Sequence, residues 1–160
     1  MIEVNKKLLV IALAVAMLAL PMSAVSATKP ETMTLTGTYY VLGMGDSYMV
    51  EAGESGITLW RWRNMPMLWT GDISGSGVNN GNSLIMEGPF ADVGVGTFFL
   101  EDVTIDDVGT GDLTIGTYGD GLQGLIKSGS DDLRSIRGKG TFTPVDMFEF
   151  DYTFEVQINP

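Results

Sequence analysis

Ten residues toward the C-terminal end, FEFDYTFEVQ (148–157), alternate apolar and polar side chains without a break. Phe148, Phe150, Tyr152, Phe154 and Val156 fall on one parity, and Glu149, Asp151, Thr153, Glu155 and Gln157 on the other. Successive side chains of a β-strand point to opposite faces, so the segment presents one apolar face and one polar face. On a helix the same residues would scatter around the axis. The segment therefore calls for a sheet packed on one side and wet on the other, which is the habit of antiparallel sheets. On this reading Phe150→Ala costs about 3–5 kcal/mol, as buried phenylalanines do, and Glu155→Ala is close to neutral.

No segment of the chain sustains a 3.6-residue apolar period. All 21 glycines lie beyond residue 27 and punctuate short runs of β-branched and aromatic residues. Strands are expected at 33–41, 57–63, 67–78, 83–90, 96–104, 112–118, 122–127, 139–143 and 148–158. Short strands between Gly-rich turns mark an antiparallel sandwich or barrel. Two of them carry glycine on the inner face: Leu35, Gly37, Tyr39 and Val41 in one, Trp69, Gly71, Ile73 and Gly75 in the other. Glycine there permits the bend or close approach that closing a barrel needs, so a barrel is favoured over a flat sandwich. No internal repeat or linker divides 28–160, which reads as a single domain. Residues 42–56 read as a long loop over one mouth, where functional loops often sit.

Residues 1–27 are read apart from that domain. Lys6 and Lys7 precede an unbroken apolar run at 8–20, and Val25 and Ala27 stand at the small-residue positions of a cleavage site. This is the layout of a secretory signal peptide. The run is shorter than the roughly 20 residues of a spanning helix; a retained N-terminal anchor is the alternative. The mature chain, from Thr28, is expected to be secreted or extracytoplasmic (cell exterior or periplasm), with no membrane span left after cleavage. It holds 19 acidic and 7 basic side chains, a net charge of −12. That balance argues against nucleic acid, whose affinity comes from neutralised phosphates. The chain has no Cys and no His, which removes disulfides, thiolate nucleophiles, His-based triads and the usual zinc sites. Carboxylate chemistry, Ser or Lys nucleophiles, hard oxygen-bound metals, or no chemistry at all remain.

Four segments occur in a telling order: GTYYV (37–41), WTGDISGSG (69–77), SGSDDLRSIRGKGTF (128–142) and FEFDYTFEV (148–156). With them the chain resembles uncharacterised secreted prokaryotic proteins of the allene-oxide-cyclase-like, or dirigent-like, β-barrel superfamily. The hallmark is the Gly-rich third segment just before the closing strands. Asp131 stands where that pattern has glycine after Ser130, and no catalytic residue of the plant cyclases can be matched by position. The resemblance implies about eight antiparallel strands around a central apolar cavity, and it carries over no activity.

Three groups of residues are candidates for function. In SDDLRSIRGKGTF (130–142) the three basic side chains Arg134, Arg137 and Lys139 suggest an anion site, but Asp131 and Asp132 sit close enough to offset them. The same residues also suit a short helical turn: Asp131 as its cap, Leu133 and Ile136 facing the core, Arg137 at its negative end and Gly138 as a left-handed exit. In ITLWRWRNMPMLW (57–69), Trp60 and Trp62 share one strand face and Arg61 and Arg63 the other, with Met65, Met67 and Trp69 following across Pro66, which marks a bend or an edge. Aromatic faces and adaptable methionines suit a ligand cavity, or else an ordinary core and rim. Third are the acids. Glu101, Asp102, Asp106, Asp107 and Asp112 fall in a Gly-rich turn region and look solvated; an EF-hand fails because the third and twelfth positions from Asp102 are Thr104 and Leu113. Glu87 is the one acid in an otherwise apolar strand, a candidate base if it points inward and otherwise an outward residue opposite Met86.

The expected protein is an exported, non-enzymatic barrel that binds a small apolar or amphipathic molecule, using Tyr39, Trp60, Arg61, Trp62, Trp69 and Glu87. No catalytic residue, metal or cofactor is assigned, and a homo-oligomer is open. The alternative is a cyclase-like or coupling-like enzyme that shapes its substrate in the cavity beside a buried carboxylate.

Overall fold

The structure is a computed structural model and describes residues 29–51, 53–86 and 93–159; the expected signal segment lies outside them. Nine strands run in chain order: β1 (Glu31–Val41), β2 (Asp46–Glu51), β3 (Thr58–Gly71), β4 (Ile73–Ile85), β5 (Val93–Ile105), β6 (Gly109–Tyr118), β7 (Gln123–Gly129), β8 (Ile136–Pro144) and β9 (Glu149–Ile158). One 3-10 turn, Asp131–Leu133, joins β7 to β8. The strands lie in the order β1-β9-β8-β7-β6-β5-β4-β3-β2, and β1 also pairs with β3. Eight antiparallel strands therefore close a barrel, and β2 hangs outside the ring on β3.

The strand at 149–158 behaves as its alternation requires. Tyr152, Phe154 and Val156 are buried while Asp151, Thr153, Glu155 and Gln157 are exposed. Phe148 departs from the pattern: it precedes β9 in the turn after β8 and is exposed. In β1, Leu35 and Tyr39 are buried between exposed or half-buried neighbours.

Three local readings need correction. The loop expected at 42–56 contains β2. Val41 pairs with Met67 and Asp46 with Arg63, five steps on one side against four on the other. β1 and β2 are thus one interrupted strand along β3; the extra residue is accommodated at 42–45, where Leu42 N–H donates to Pro66 O at 2.9 Å. The strand expected at 67–78 is a hairpin corner between β3 and β4. Gly71 takes φ +97°, a conformation glycine tolerates, and Asp72 at the tip accepts the Thr36 N–H (2.7 Å) and hydroxyl (3.1 Å).

The third correction concerns the basic segment. Ser130, not Asp131, stands at the N-cap, and no side chain caps the turn. Asp131 sits inside it at φ +47° and accepts the Ser130 hydroxyl at 2.8 Å. Asp132 reaches across to the Thr110 N–H at 3.2 Å. Leu133 and Ile136 are buried together, and Arg137 donates to the Arg134 carbonyl at 3.2 Å, both as the local chemistry suggests. Gly138 is no left-handed exit. It lies in β8, packed against Glu155 and Val156 of β9 so closely that a Cβ has no room.

Closure of the ring rests on Gly37, which pairs with Gly71 on one side and Tyr152 on the other. A Cβ on Gly37 would collide with the Thr70 carbonyl and the Tyr152 ring and hydroxyl. That hydroxyl accepts the Ile73 N–H (2.8 Å) and lies within hydrogen-bonding distance of the Thr70 (3.1 Å) and Ile73 (3.2 Å) carbonyls. Burial pushes the Tyr152 phenol up to about 12; the Ile73 hydrogen bond opposes this, and the Asp72 and Asp106 charges add to it.

Inside the barrel the side chains stack in layers. Leu35, Ile73, Val103, Ile105, Leu113, Leu133 and Ile136 fill the end that holds the 3-10 turn. Above them Tyr39 sits among rings, with centroids 5.1 Å from Trp69, 5.3 Å from Phe98 and Phe142, and 4.9 Å from Phe150. The layers match the way side chains fill small barrels.

Candidate functional site

Beyond the aromatic layer, at the opposite end, the barrel opens. β3 and β4 extend past β1 there, and β2 continues the wall on the outer edge of β3. The inward side of β4 in this stretch is small or polar: Gly77, Asn79, Gly81 and Ser83. Residue size on β4 is what makes space for indole rings. Gly81 lies so close to the Trp62 ring that a Cβ would strike it. Trp62 Nε1–H donates to Asn79 Oδ1, and the Trp60 and Trp62 rings lie 4.8 Å apart, tilted by 45°.

The result is a cavity of about 500 Å³. Tyr39, Met67 and Phe98 form its floor, Trp60, Trp62, Asn79 and Ser83 one wall, and Phe150 the facing wall. Met44, Met49, Met147 and Phe148 reach its rim from three different turns or strands, all of them at least 40 % exposed. Five methionines line it in all, Met65 included. The opening is framed by flexible, polarisable methionines over a closely packed aromatic floor, an arrangement that accommodates varied apolar shapes.

The sequence-based candidates divide. Tyr39, Trp60 and Trp62 line the cavity. Trp69 lies beneath the floor, 1 % exposed, stacked on Tyr39. Arg61 points to the outer face, where its guanidinium donates to the Tyr48 hydroxyl at 3.0 Å and sits 6.0 Å from the Tyr48 ring centroid. Arg63 likewise turns outward, to the carbonyls of Trp62 (2.7 Å) and Gly81 (3.0 Å). Glu87 lies outside the described residues. The acids Glu101, Asp102, Asp106, Asp107 and Asp112 are exposed, as their turn-rich context suggested.

Sequence reasoning missed Asn79, Ser83, Phe98 and Phe150 as cavity residues. Asn79 and Ser83 are buried, at 5 % and 3 % exposure. The signal for them was the one-face spacing Gly77, Asn79, Gly81, Ser83, which is visible only once 73–85 is taken as a single strand. Among the described cavity residues the one carboxylate is Asp120, exposed, its Oδ1 accepting the Leu122 N–H at 2.9 Å. Burial pushes the Tyr39 phenol far above its ordinary value, so it is held neutral and is a poor proton donor.

No family model matches the chain, and no curated protein matches it. Its fold is similar to that of a crystal structure of a protein of unknown function from the DUF3224 family of Shewanella oneidensis MR-1. The TM-score is 0.52 at 14 % identity, over 81 % of this chain and 99 % of that one. At that identity the likeness establishes the architecture alone: an eight-stranded antiparallel barrel.

Proposed function

We propose that the protein is an exported, non-enzymatic barrel that binds a small apolar or amphipathic molecule in the mouth cavity. The observation that carries this reading is the cavity itself: about 500 Å³ lined by indoles and thioethers, within the roughly 300–1,000 Å³ of small-molecule sites. Its floor is held by the barrel closure and the aromatic layer, while exposed methionines frame its mouth. The resemblance to the allene-oxide-cyclase-like and dirigent-like barrels supports a cavity-centred role. The alternative is a cyclase-like or coupling-like enzyme, for which the one carboxylate among the described cavity residues, Asp120, is exposed rather than buried.

Two measurements test the reading. A neutral apolar fluorophore such as N-phenyl-1-naphthylamine should bind saturably and quench tryptophan emission by energy transfer, and Trp60→Ala should abolish most of that signal. Absence of saturable binding overturns it. For export, the N-terminus of protein recovered from its own cells should begin at Thr28; a chain that still begins at Met1 would instead favour a retained anchor.

A further inference from the structure

Two residues that line that cavity carry a buried polar atom without a hydrogen-bond partner. Trp60 Nε1 and Ser83 Oγ are both buried and unbonded, and their residues face each other as a register pair between β3 and β4. A buried donor left unpaired costs free energy comparable to a lost hydrogen bond. An unpaired donor by itself does not define a site, because Trp69 Nε1 is also unpartnered deep in the core. What distinguishes Trp60 and Ser83 is that both line the cavity as cross-strand neighbours, in a wall whose other buried polar side chain, Asn79, is already bonded to Trp62.

We propose that Trp60 Nε1 and Ser83 Oγ together hold one oxygen atom of the ligand, and that the ligand is a neutral, largely apolar molecule bearing a single hydroxyl or carbonyl group. The inference rests on the cavity-binding reading above and narrows it. An indole N–H only donates, so the ligand group must accept; a serine hydroxyl both donates and accepts. An alcohol oxygen can accept from Trp60 and donate to Ser83, and a ketone or ester carbonyl can accept from both. A carboxylate is disfavoured. The nearby cations Arg61 and Arg63 point to the outer face, and a charge buried without a counter-ion is expensive. Neither polar atom touches solvent, so a ligand reaches them by displacing mouth side chains. Met49, the cross-strand neighbour of Trp60, is 60 % exposed and carries the flexible side chain such a displacement needs.

Competition against bound N-phenyl-1-naphthylamine tests this with octan-1-ol, octan-2-one, octane and octanoate at pH 8. The alcohol and the ketone should displace the fluorophore at concentrations about tenfold below those of octane and octanoate, the ratio expected for roughly 1.4 kcal/mol of added polar contact. Trp60→Phe and Ser83→Ala, each checked for native circular dichroism, should bring octan-1-ol to within about threefold of octane, both ligands being compared in the same variant. If Trp60→Phe does not fold, Ser83→Ala alone decides. Equal displacement by octane and octan-1-ol in the unaltered protein overturns the inference and leaves the cavity reading standing, and so does stronger displacement by octanoate. Failure of the fluorophore to bind at all sinks both.

Discussion

The two ends of the barrel are continuations of the same strands, yet they are finished in opposite ways. At the closed end the connections are tight and mutually bonded. The β3–β4 tip is held by Thr36 through Asp72, Asp106 N–H reaches back to Asp72 O at 3.1 Å, and the 3-10 turn drops Leu133 into the core at 0 % exposure. At the open end the turns carry exposed apolar side chains, among them Leu42 (62 %), Met147 (59 %) and Phe148 (46 %). Closed-end side chains are aliphatic and fit one another, whereas open-end ones are indoles and thioethers against glycine. On the proposed function, stability and binding are allotted to different ends. The aromatic layer around Tyr39 is the partition between them.

If that division is right, truncations should cost most at and below the partition. Phe154 is fully buried and its ring lies 5.5 Å from that of Phe142. Phe154→Ala is expected to destabilise by about 3–5 kcal/mol, read as a shift in urea midpoint at constant slope, with little effect on the affinity of material that remains folded. A loss below 1 kcal/mol would mean that the closed end is not where the stability resides.

How far the sequence disclosed this division depends on what each strand buries. β9 sets large apolar residues on its inner side at every second position, and β1 does so apart from Gly37, so their alternation is readable directly. β4 buries Asn79, Gly81 and Ser83 instead, because its partners across the cavity are large. A strand that contributes space rather than volume leaves no hydrophobic pattern. β2 is exposed at every position; it is a strand only because β3 offers an edge, and edge pairing is not written in local composition. The β3–β4 corner was hidden for a related reason: Trp69 and Ile73 share the inner side whether the chain runs straight through or turns between them. At the mouth, the face shared by Trp60 and Trp62 was legible, while the polar residues opposite them depended on the β3–β4 register.

Alkaline pH gives a second, smaller handle on the closed end. The Tyr152 phenol titrates at about 12 in the folded barrel against 10 for the free group. As pH rises past 10 the unfolded chain loses this proton first, so the unfolded state binds fewer protons and stability falls with pH. The contribution of Tyr152 is therefore complete below pH 10 and is lost as pH climbs through 12. Melting temperature should stay level from pH 7 to 9 and drop between 10 and 12. Tyr152→Phe should melt lower at neutral pH, having lost its bonds at the corner, and fall less steeply above pH 10; the buried Tyr39, also raised, keeps some of the slope. An unchanged slope in the variant would remove Tyr152 from the account.

Phe150 lies on the partition itself and sharpens its position. It is half-buried, stacked on Tyr39 at 4.9 Å with an interplanar angle of 9°, and its other side faces the cavity. The alternation alone suggested the full cost of a core phenylalanine. With one face toward the mouth, Phe150→Ala should cost about 1–2 kcal/mol, part of the burial and one ring stack, and weaken fluorophore binding. A cost of 4 kcal/mol would place Phe150 with the closed end and shrink the binding region by one wall.

The smallest effect is expected on the outer wall, which belongs to neither end. Glu155 is exposed between buried Phe154 and Val156, and pairs in register with Lys139 of β8. An exposed cross-strand pair of opposite charges contributes little, because water screens it and both side chains lose freedom in meeting. Glu155→Ala should therefore change stability by no more than about 0.5 kcal/mol, in low salt as in high, and leave fluorophore binding untouched. A larger, salt-sensitive loss would show that charge pairing around the wall helps hold the ring closed, and that stability is not confined to the packed end.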